Sequence, residues 1–192
     1  GRYNTGDQRT YEAATGDDKI NSKRLGVDYG PDMNKPAYSY LKTDITNAYS
    51  EKMKEYTRTF LFQKFIDDTY PGVLIVYDKV KRSDSSFKKT WLLHSQEEPQ
   101  VDGTIATIKR TEYGYNGRMV NETLLPQKED VSIEKIGGEG KEYMVGDVNV
   151  KAVNVTKGDE SGKWRIEVSP KTEKATDYFL NVLQVSDNAE TI

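Results

Sequence analysis

Apolar and polar residues alternate along several short stretches of this chain, with turn residues between them. Two clear cases are residues 54–62 (KEYTRTFLF) and 163–170 (KWRIEVSP). Successive side chains of a β-strand point to opposite faces, so this period of two predicts strands with one apolar face. In the second stretch, Trp164, Ile166 and Val168 fall on the same face. In the first, the shared face is predicted to consist of Tyr56, Arg58, Phe60 and Phe62.

Two other stretches are more continuously apolar. Residues 72–80 (GVLIVYDKV) follow Pro71, and their pattern predicts a strand that is buried on both faces. On that interpretation Ile75 is buried, and Ile75→Asp is expected to unfold the domain. Residues 177–186 (DYFLNVLQVS) fit a buried strand, although 174–184 (KATDYFLNVLQ) is also compatible with a helix.

The remaining predicted strands follow at fairly regular spacing, with Asp102-Gly103 as a hairpin signal, and they comprise residues 87–95, 104–109, 117–125, 131–136 and 148–155. Short strands separated by turns predict a mostly β fold of stacked antiparallel sheets, similar to a β-sandwich. Residues 1–35 are polar and show neither helical nor strand periodicity. We therefore expect an extended polar N-terminal segment at 1–35 and one antiparallel β-sheet domain at 36–192.

Composition narrows the function classes. The 192 residues carry a net charge of -3, which argues against a nucleic-acid-binding protein. The absence of cysteine excludes disulfides, thiolate zinc sites and cysteine nucleophiles. No apolar run approaches the ~20 residues of a membrane span, so no membrane contact is predicted. Because the chain opens on Gly1 in polar sequence, we interpret it as a piece of a longer protein.

His94 is the only histidine, and its surroundings predict a structural role. A metal site would need two or three further ligands, and neither another His nor a Cys is present. On the strand pattern, His94 shares a face with Thr90 and Leu92 near a strand end. We assign no catalytic and no metal-binding residue. The alternative to the structural role is that His94 lines a cleft.

The adjacent carboxylates and the glycine-rich stretch carry no catalytic signal. Glu97 and Glu98 point to opposite sides of a strand, unlike the facing pair of a glycosidase, and are expected to be solvated turn residues. The stretch 136–142 (IGGEGKE) lacks the spacing of a phosphate-binding loop and does not lead into a helix, so a turn is predicted.

The order of several sequence blocks resembles the heparinase II/III family of polysaccharide lyases. The likeness covers roughly residues 27–186, with 4–9 (NTGDQR) similar to the entry of the same region. The blocks are PAYSYLKTDITNAYSEKMKEYTRTFLF (36–62), PGVLIVYDKV (71–80), DSSFKKTWLLHSQEEP (84–99), YNGRMVNETLLP (115–126), EKIGGEGKEYMV (134–145) and WRIEVSP (164–170). The resemblance is to the β-sheet region that follows the family's α/α-toroid.

The resemblance implies a protein that cleaves uronic-acid-containing polysaccharide by β-elimination. The catalytic Tyr and His, and the His-rich structural zinc site, belong to parts of that family that this chain does not match. We therefore expect a non-catalytic β-sheet portion without a cofactor of its own, with structural zinc only in the parent. The implied partners are the acidic polysaccharide, the toroid and a second copy of the chain in a homodimer. The implied location is secreted or periplasmic.

Four residues are the candidates for carbohydrate contact in this portion. Aromatic faces stack on sugar rings, and Arg or Lys pairs with uronate or sulfate. On this ground we single out Trp91, His94, Tyr115 and Arg118, against the alternative of ordinary sheet packing. An independent carbohydrate-binding or adhesion module is the alternative function for the whole chain.

Overall fold

The computed structural model describes residues 23–49, 51–84, 86–150 and 162–189. These ranges contain strands β1 (Lys23–Gly30), β2 (Tyr38–Asp44), β3 (Met53–Lys64), β4 (Gly72–Arg82), β5 (Trp91–Ser95), β6 (Gln100–Asp102), β7 (Ile105–Arg110), β8 (Gly117–Leu125), β9 (Val131–Gly137), β10 (Met144–Val145), β11 (Val148–Asn149), β12 (Trp164–Pro170) and β13 (Thr176–Asp187). Two 3-10 turns lie at Thr46–Ala48 and Glu112–Gly114. The prediction of a mostly β fold is confirmed.

The described strands form three antiparallel sheets: a large one of eight strands, a small one of three and a ribbon of two. The large sheet has the order β1-β2-β3-β4-β13-β8-β7-β6, and the small sheet has the order β5-β12-β9. Strands β10 and β11 make a separate two-stranded ribbon. The stretch 177–186, which was compatible with strand or helix, is a central strand, because β13 pairs with β4 on one side and β8 on the other.

The hydrophobic core lies between the large and small sheets. The small sheet contributes Trp91, Val131, Ile166 and Val168, and the large sheet contributes Tyr56, Val80, Ala106 and Phe179. We call the face of the large sheet that carries these residues the inner face, and the opposite one the outer face. The alternation read from residues 54–62 and 163–170 is therefore confirmed, since both predicted apolar faces point inward.

Strand β4 differs from its prediction. Burial alternates along it, with Val76, Asp78 and Val80 buried on the inner face. Ile75 and Tyr77 lie on the outer face and are only half-buried. The expectation that both faces of β4 are buried is thus wrong, because no second layer covers its outer face within the described residues. Ile75→Asp is therefore expected to lower the free energy of unfolding without unfolding the domain completely.

Strand β1 falls inside residues 1–35, where no strand periodicity was detected. Its glycines weaken the pattern, and they are covered by tyrosine rings of β2. A Cβ at Gly26 would come within 3.2 Å of the Tyr40 ring, and one at Gly30 within 3.4 Å of the Tyr38 hydroxyl. An aromatic ring across an edge glycine compensates for its missing side chain. Tyr38 also donates a hydrogen bond of 2.9 Å to Asp28.

The glycine-rich stretch is a turn after β9, as predicted. Gly138 has a φ of 81°, which L-residues with side chains rarely adopt. A Cβ there would lie 2.9 Å from the Trp164 ring. Glycine is therefore required for this turn to pass over the tryptophan. The predicted strand 148–155 is observed only as β11, since residues 151–161 lie outside the described residues.

Candidate functional site

A pocket opens where the edge of the small sheet meets strands β3 and β4 of the large one. Its volume is about 490 Å³. That is within the range of small-molecule and sugar-sized sites. Five aromatic side chains contribute to its wall: Tyr49, Tyr56, Phe87, Trp91 and Phe179. Three lysines also line it: Lys52, Lys88 and Lys89.

The large sheet supplies a buried polar group at the base of the pocket. Asp78 is fully buried and forms an ion pair of 2.6 Å with Arg58. The Tyr56 hydroxyl donates to Asp78 at 3.1 Å and accepts from Arg58 at 2.8 Å. Burial raises the pKa of the Tyr56 phenol, and the Asp78 carboxylate beside it acts in the same direction. Tyr56 is therefore a neutral hydrogen-bonding group and cannot act as a base near neutral pH.

A second buried ion pair lies at the other side of the pocket. Lys89 is almost fully buried and pairs with Asp177 of β13. Its ammonium also donates to the Lys174 carbonyl. These contacts fix the segment before β5 onto the large sheet. Because Lys89 and Asp78 both have partners within the protein, the deep polar groups of the pocket are structural.

Two separate connections bring cations to the pocket, with Lys52 directly before β3 and Lys88 in the segment before β5. The Lys52 ammonium lies 5.3 Å from the centre of the Phe87 ring, a cation-π contact. Lys88 follows Phe87 and is exposed. An anionic ligand with apolar ring faces would meet aromatic rings within the pocket and lysine ammonium groups beside them. Uronate-containing sugars have this combination of a carboxylate and C–H faces.

The four candidate residues predicted from the sequence do not form one site. Trp91 is 6% exposed and belongs both to the core and to the wall of the pocket. His94 lies on the opposite face of β5, where it pairs in register with Arg165. Tyr115 lies in the connection between β7 and β8, and Arg118 is on the outer face of β8, paired in register with Ser186. Their role in carbohydrate contact stays a prediction.

The surroundings of His94 are those of a sheet residue. Its face also holds Leu92 and Thr90, as the sequence pattern predicted, and the Thr90 hydroxyl lies 3.0 Å from that of Ser169. Partial burial lowers the pKa of His94, and the guanidinium of Arg165 lowers it further, against the opposing effect of Glu167. The imidazole is therefore predominantly neutral at neutral pH.

Tyr115 belongs to an aromatic and cationic cluster apart from the pocket. The guanidinium of Arg110 lies 4.6 Å from the Tyr115 ring and 5.5 Å from the Tyr113 ring. Arg110 also pairs with Glu97 at 3.0 Å. With its guanidinium stacked on one ring and bound to a carboxylate, Arg110 fixes the β7–β8 connection.

Glu97 differs from the expectation of a solvated turn residue. Partial burial opposes its ionisation, but hydrogen bonds from the Glu112 and Thr111 backbone N–H groups and from Arg110 outweigh that effect and lower the pKa of Glu97 to about 2. The N–H distances are 2.9 and 2.7 Å. Glu97 is therefore an anchor between the end of β5 and the β7–β8 connection. Glu98, its neighbour, is exposed as the sequence predicted, and it forms an ion pair with Lys135.

The described ranges contain neither a candidate metal site nor a helix that could span a membrane. No group of three or more His, Asp or Glu side chains is arranged to hold a metal ion there. No helix in the same ranges is long and apolar enough to cross a membrane.

The sequence predicted only part of the pocket wall. It named Trp91, but not Tyr49, Lys52 or Phe87, which come from two separate connections. Their only local signal is the proximity of Phe87 to Lys88 and Lys89. The contact between Lys52 and Phe87 depends on tertiary structure, since a strand hairpin separates the two residues.

Comparison with known proteins gives structural similarities without a family match. No family model matches the chain, and no curated protein matches it. The chain is similar to a solved structure described as a heparinase III gene product with methylated lysines, with a TM-score of 0.47 and 16% sequence identity over 88% of this chain. The chain spans 22% of the length of that structure.

Proposed function

We propose that this β domain is the non-catalytic β-sheet portion of a polysaccharide lyase of the heparinase II/III type. In that role it lines the cleft for a uronic-acid-containing polysaccharide and supports a helical toroid. The order of sequence blocks between residues 27 and 186 suggests the family. The observation that carries the binding role is the pocket that joins aromatic rings to lysine ammonium groups.

The chemistry of the pocket suits an acidic sugar better than a neutral one. Aromatic rings favour the C–H faces of any sugar, whereas Lys52 and Lys88 attract a carboxylate or sulfate. The deeper ion pairs of Asp78 and Lys89 are satisfied internally, so they position the wall without competing for ligand. Specificity for the anion therefore depends on the two lysines near Phe87.

The same features favour a binding role over catalysis. β-Elimination needs a base at the sugar C5 proton and neutralisation of the adjacent carboxylate. Burial raises the pKa of Tyr56, which opposes a basic role for this tyrosine of the pocket. His94 lies on the opposite face of β5 from Trp91. These positions support a binding role in which neither Tyr56 nor His94 is the base.

Calorimetric titration with size-defined oligosaccharides tests the binding role. A uronate-containing tetrasaccharide should bind at least about tenfold more tightly than a neutral tetrasaccharide, as expected for charge-assisted contacts. The double variant Lys52→Ala, Lys88→Ala should remove this preference. The matched double variant Lys128→Ala, Lys171→Ala, at exposed positions outside the pocket lining, should retain it.

An assay for the unsaturated product of β-elimination completes the test. We expect none from this chain, because Tyr56 is held neutral and His94 lies on the other face of β5 from Trp91. Product formation by the chain would overturn the non-catalytic assignment, and equal affinity for both tetrasaccharides would overturn the binding role. A parent gene that encodes an upstream helical toroid with a His-x-His motif supports the lyase over an independent carbohydrate-binding or adhesion module.

A further inference from the structure

Half of the inner face of the large sheet has no covering layer among the described residues. The small sheet packs over β4, β13, β8 and β7, while the inner face of β1, β2 and β3 beyond Tyr56 stays open. The open area carries large apolar side chains. We call it the apolar ledge, and it consists of Val27, Tyr29, Leu41, Phe60 and Phe62.

The strand register makes the apolar ledge continuous. Val27 pairs with Leu41, and Leu41 pairs with Phe60 on the next strand. Tyr29 and Phe62 form the next row along the strands, joined through Ser39. Val27 is 49% exposed and Phe62 is 44% exposed. Scattered exposed apolar residues are ordinary, but a contiguous set on one sheet face marks an interaction surface.

The charged side chains that β1, β2 and β3 carry on the face of the apolar ledge have a single sign. The charged residues that share this face in the paired positions of β1, β2 and β3 are Arg24, Arg58 and Lys64, without any Asp or Glu. Arg58 is engaged by Asp78 at the margin of the core. Arg24 and Lys64 are exposed. An excess of cations is unexpected in a chain with a net charge of -3, so it is a local property of this face.

We propose that the apolar ledge docks a protein segment whose apolar stripe is bordered by Asp or Glu side chains. The carboxylates would meet Arg24 and Lys64, and the stripe would cover Phe62 and its neighbours. Three strands span roughly 14 Å, which accommodates one helix with its side chains. A second copy of this chain fits poorly, because face-to-face packing would bring cations against cations. This inference does not depend on glycan binding in the pocket.

Two synthetic peptides with the same amphipathic helical pattern test the proposal. Both carry leucine along one face, and the residues that border this face are Glu in one peptide and Lys in the other. Fluorescence anisotropy of labelled peptides against the whole chain should show at least about tenfold tighter binding of the Glu-bordered peptide. That preference should weaken with salt, since exposed charges are screened.

A charge reversal sharpens the test. The double variant Arg24→Glu, Lys64→Glu should exchange the preference, so that the Lys-bordered peptide binds more tightly. The matched control Lys42→Glu, Lys109→Glu reverses two lysines on the outer face of the same sheet and should leave the preference unchanged. Thermal melting of all variants verifies that each is folded before binding is measured.

Several results would overturn the proposal. Equal binding of the two peptides would assign the ledge no charge selectivity, and absence of binding would remove the docking role. A heparin oligosaccharide that binds the unsubstituted chain but not the Arg24→Glu, Lys64→Glu variant would assign these cations to a glycan instead. A dimer in sedimentation that dissociates with Phe62→Lys would assign the ledge to a second copy.

Discussion

The two halves of the large sheet have the same alternating pattern but different surroundings. In the half covered by the small sheet, even polar side chains are buried, as in the cluster of Asn121, Thr123 and Asn181. In the uncovered half, Leu41 and Phe62 are exposed. Burial in this domain therefore depends on whether a second layer lies above a position, and less on the hydrophobicity of the residue itself.

The polar residues of the covered half bind one another in part, since Asn121 Oδ1 and Asn181 Nδ2 have no hydrogen-bond partner among the described residues. The Thr123 hydroxyl donates to the side-chain oxygen Oδ1 of Asn181 at 2.7 Å, and the Asn121 side-chain amide donates to the same oxygen at 3.3 Å. A buried polar group without a partner would cost stability, whereas a paired one is nearly neutral. At the border between the halves, the pair of Arg58 and Asp78 has the same function.

The largest expected difference between the halves comes from removing one phenylalanine in each. Phe179 is 2% exposed in the covered half, and Phe179→Ala should lower the free energy of unfolding by about 3–5 kcal/mol through lost burial and a cavity. Phe62→Ala in the uncovered half should cost about 1 kcal/mol or less. Urea unfolding of both variants measures this. Similar losses would show that both halves are covered in solution.

The border between the halves is expected to be the next most sensitive position. Asp78→Ala leaves the Arg58 guanidinium without its buried partner and removes the acceptor of the Tyr56 hydroxyl. We expect a loss of about 3 kcal/mol in urea unfolding. The control is Glu55→Ala, whose carboxylate forms a half-exposed pair with Lys79 and should cost about 1 kcal/mol or less. Equal costs would mean that the Asp78 pair is solvated.

The smallest effect on stability is expected from the contacts of Glu97, which join the end of β5 to the β7–β8 connection. Because hydrogen bonds and Arg110 hold the pKa of Glu97 at about 2, below its ordinary 4.5, the folded state favours the ionised form. This contribution is present above about pH 4.5 and is lost as the pH falls toward 2. Glu97→Gln should therefore lower the melting temperature at neutral pH and flatten its decline under acid.

The control for this titration is the neighbouring carboxylate. Glu98→Gln removes an exposed pair with Lys135 and should leave the acid decline of the melting temperature unchanged. The measurement is thermal melting of wild type and both variants over the acidic range. An unaltered acid decline in Glu97→Gln would mean that other carboxylates control this transition.

The sequence by itself determined most of the strands, without β1 and β2, and the face on which each side chain of a predicted strand lies. Alternation over 54–62 and 163–170 is a local property, because the backbone geometry of a strand sends successive side chains to opposite sides. The same rule correctly placed His94 with Leu92, away from Trp91. It failed for Ile75, whose apolar neighbours on both faces suggested a fully buried strand.

Only the tertiary structure decided which faces are covered and where the pocket lies. The insertion of β13 between β4 and β8, and the packing of β5 over β4, join segments that are far apart in the chain. Lys52 and Phe87 meet for this reason, and Ile75 stays half-buried for the same reason. A strand's pattern specifies two faces, but the layer that buries one of them comes from elsewhere in the chain.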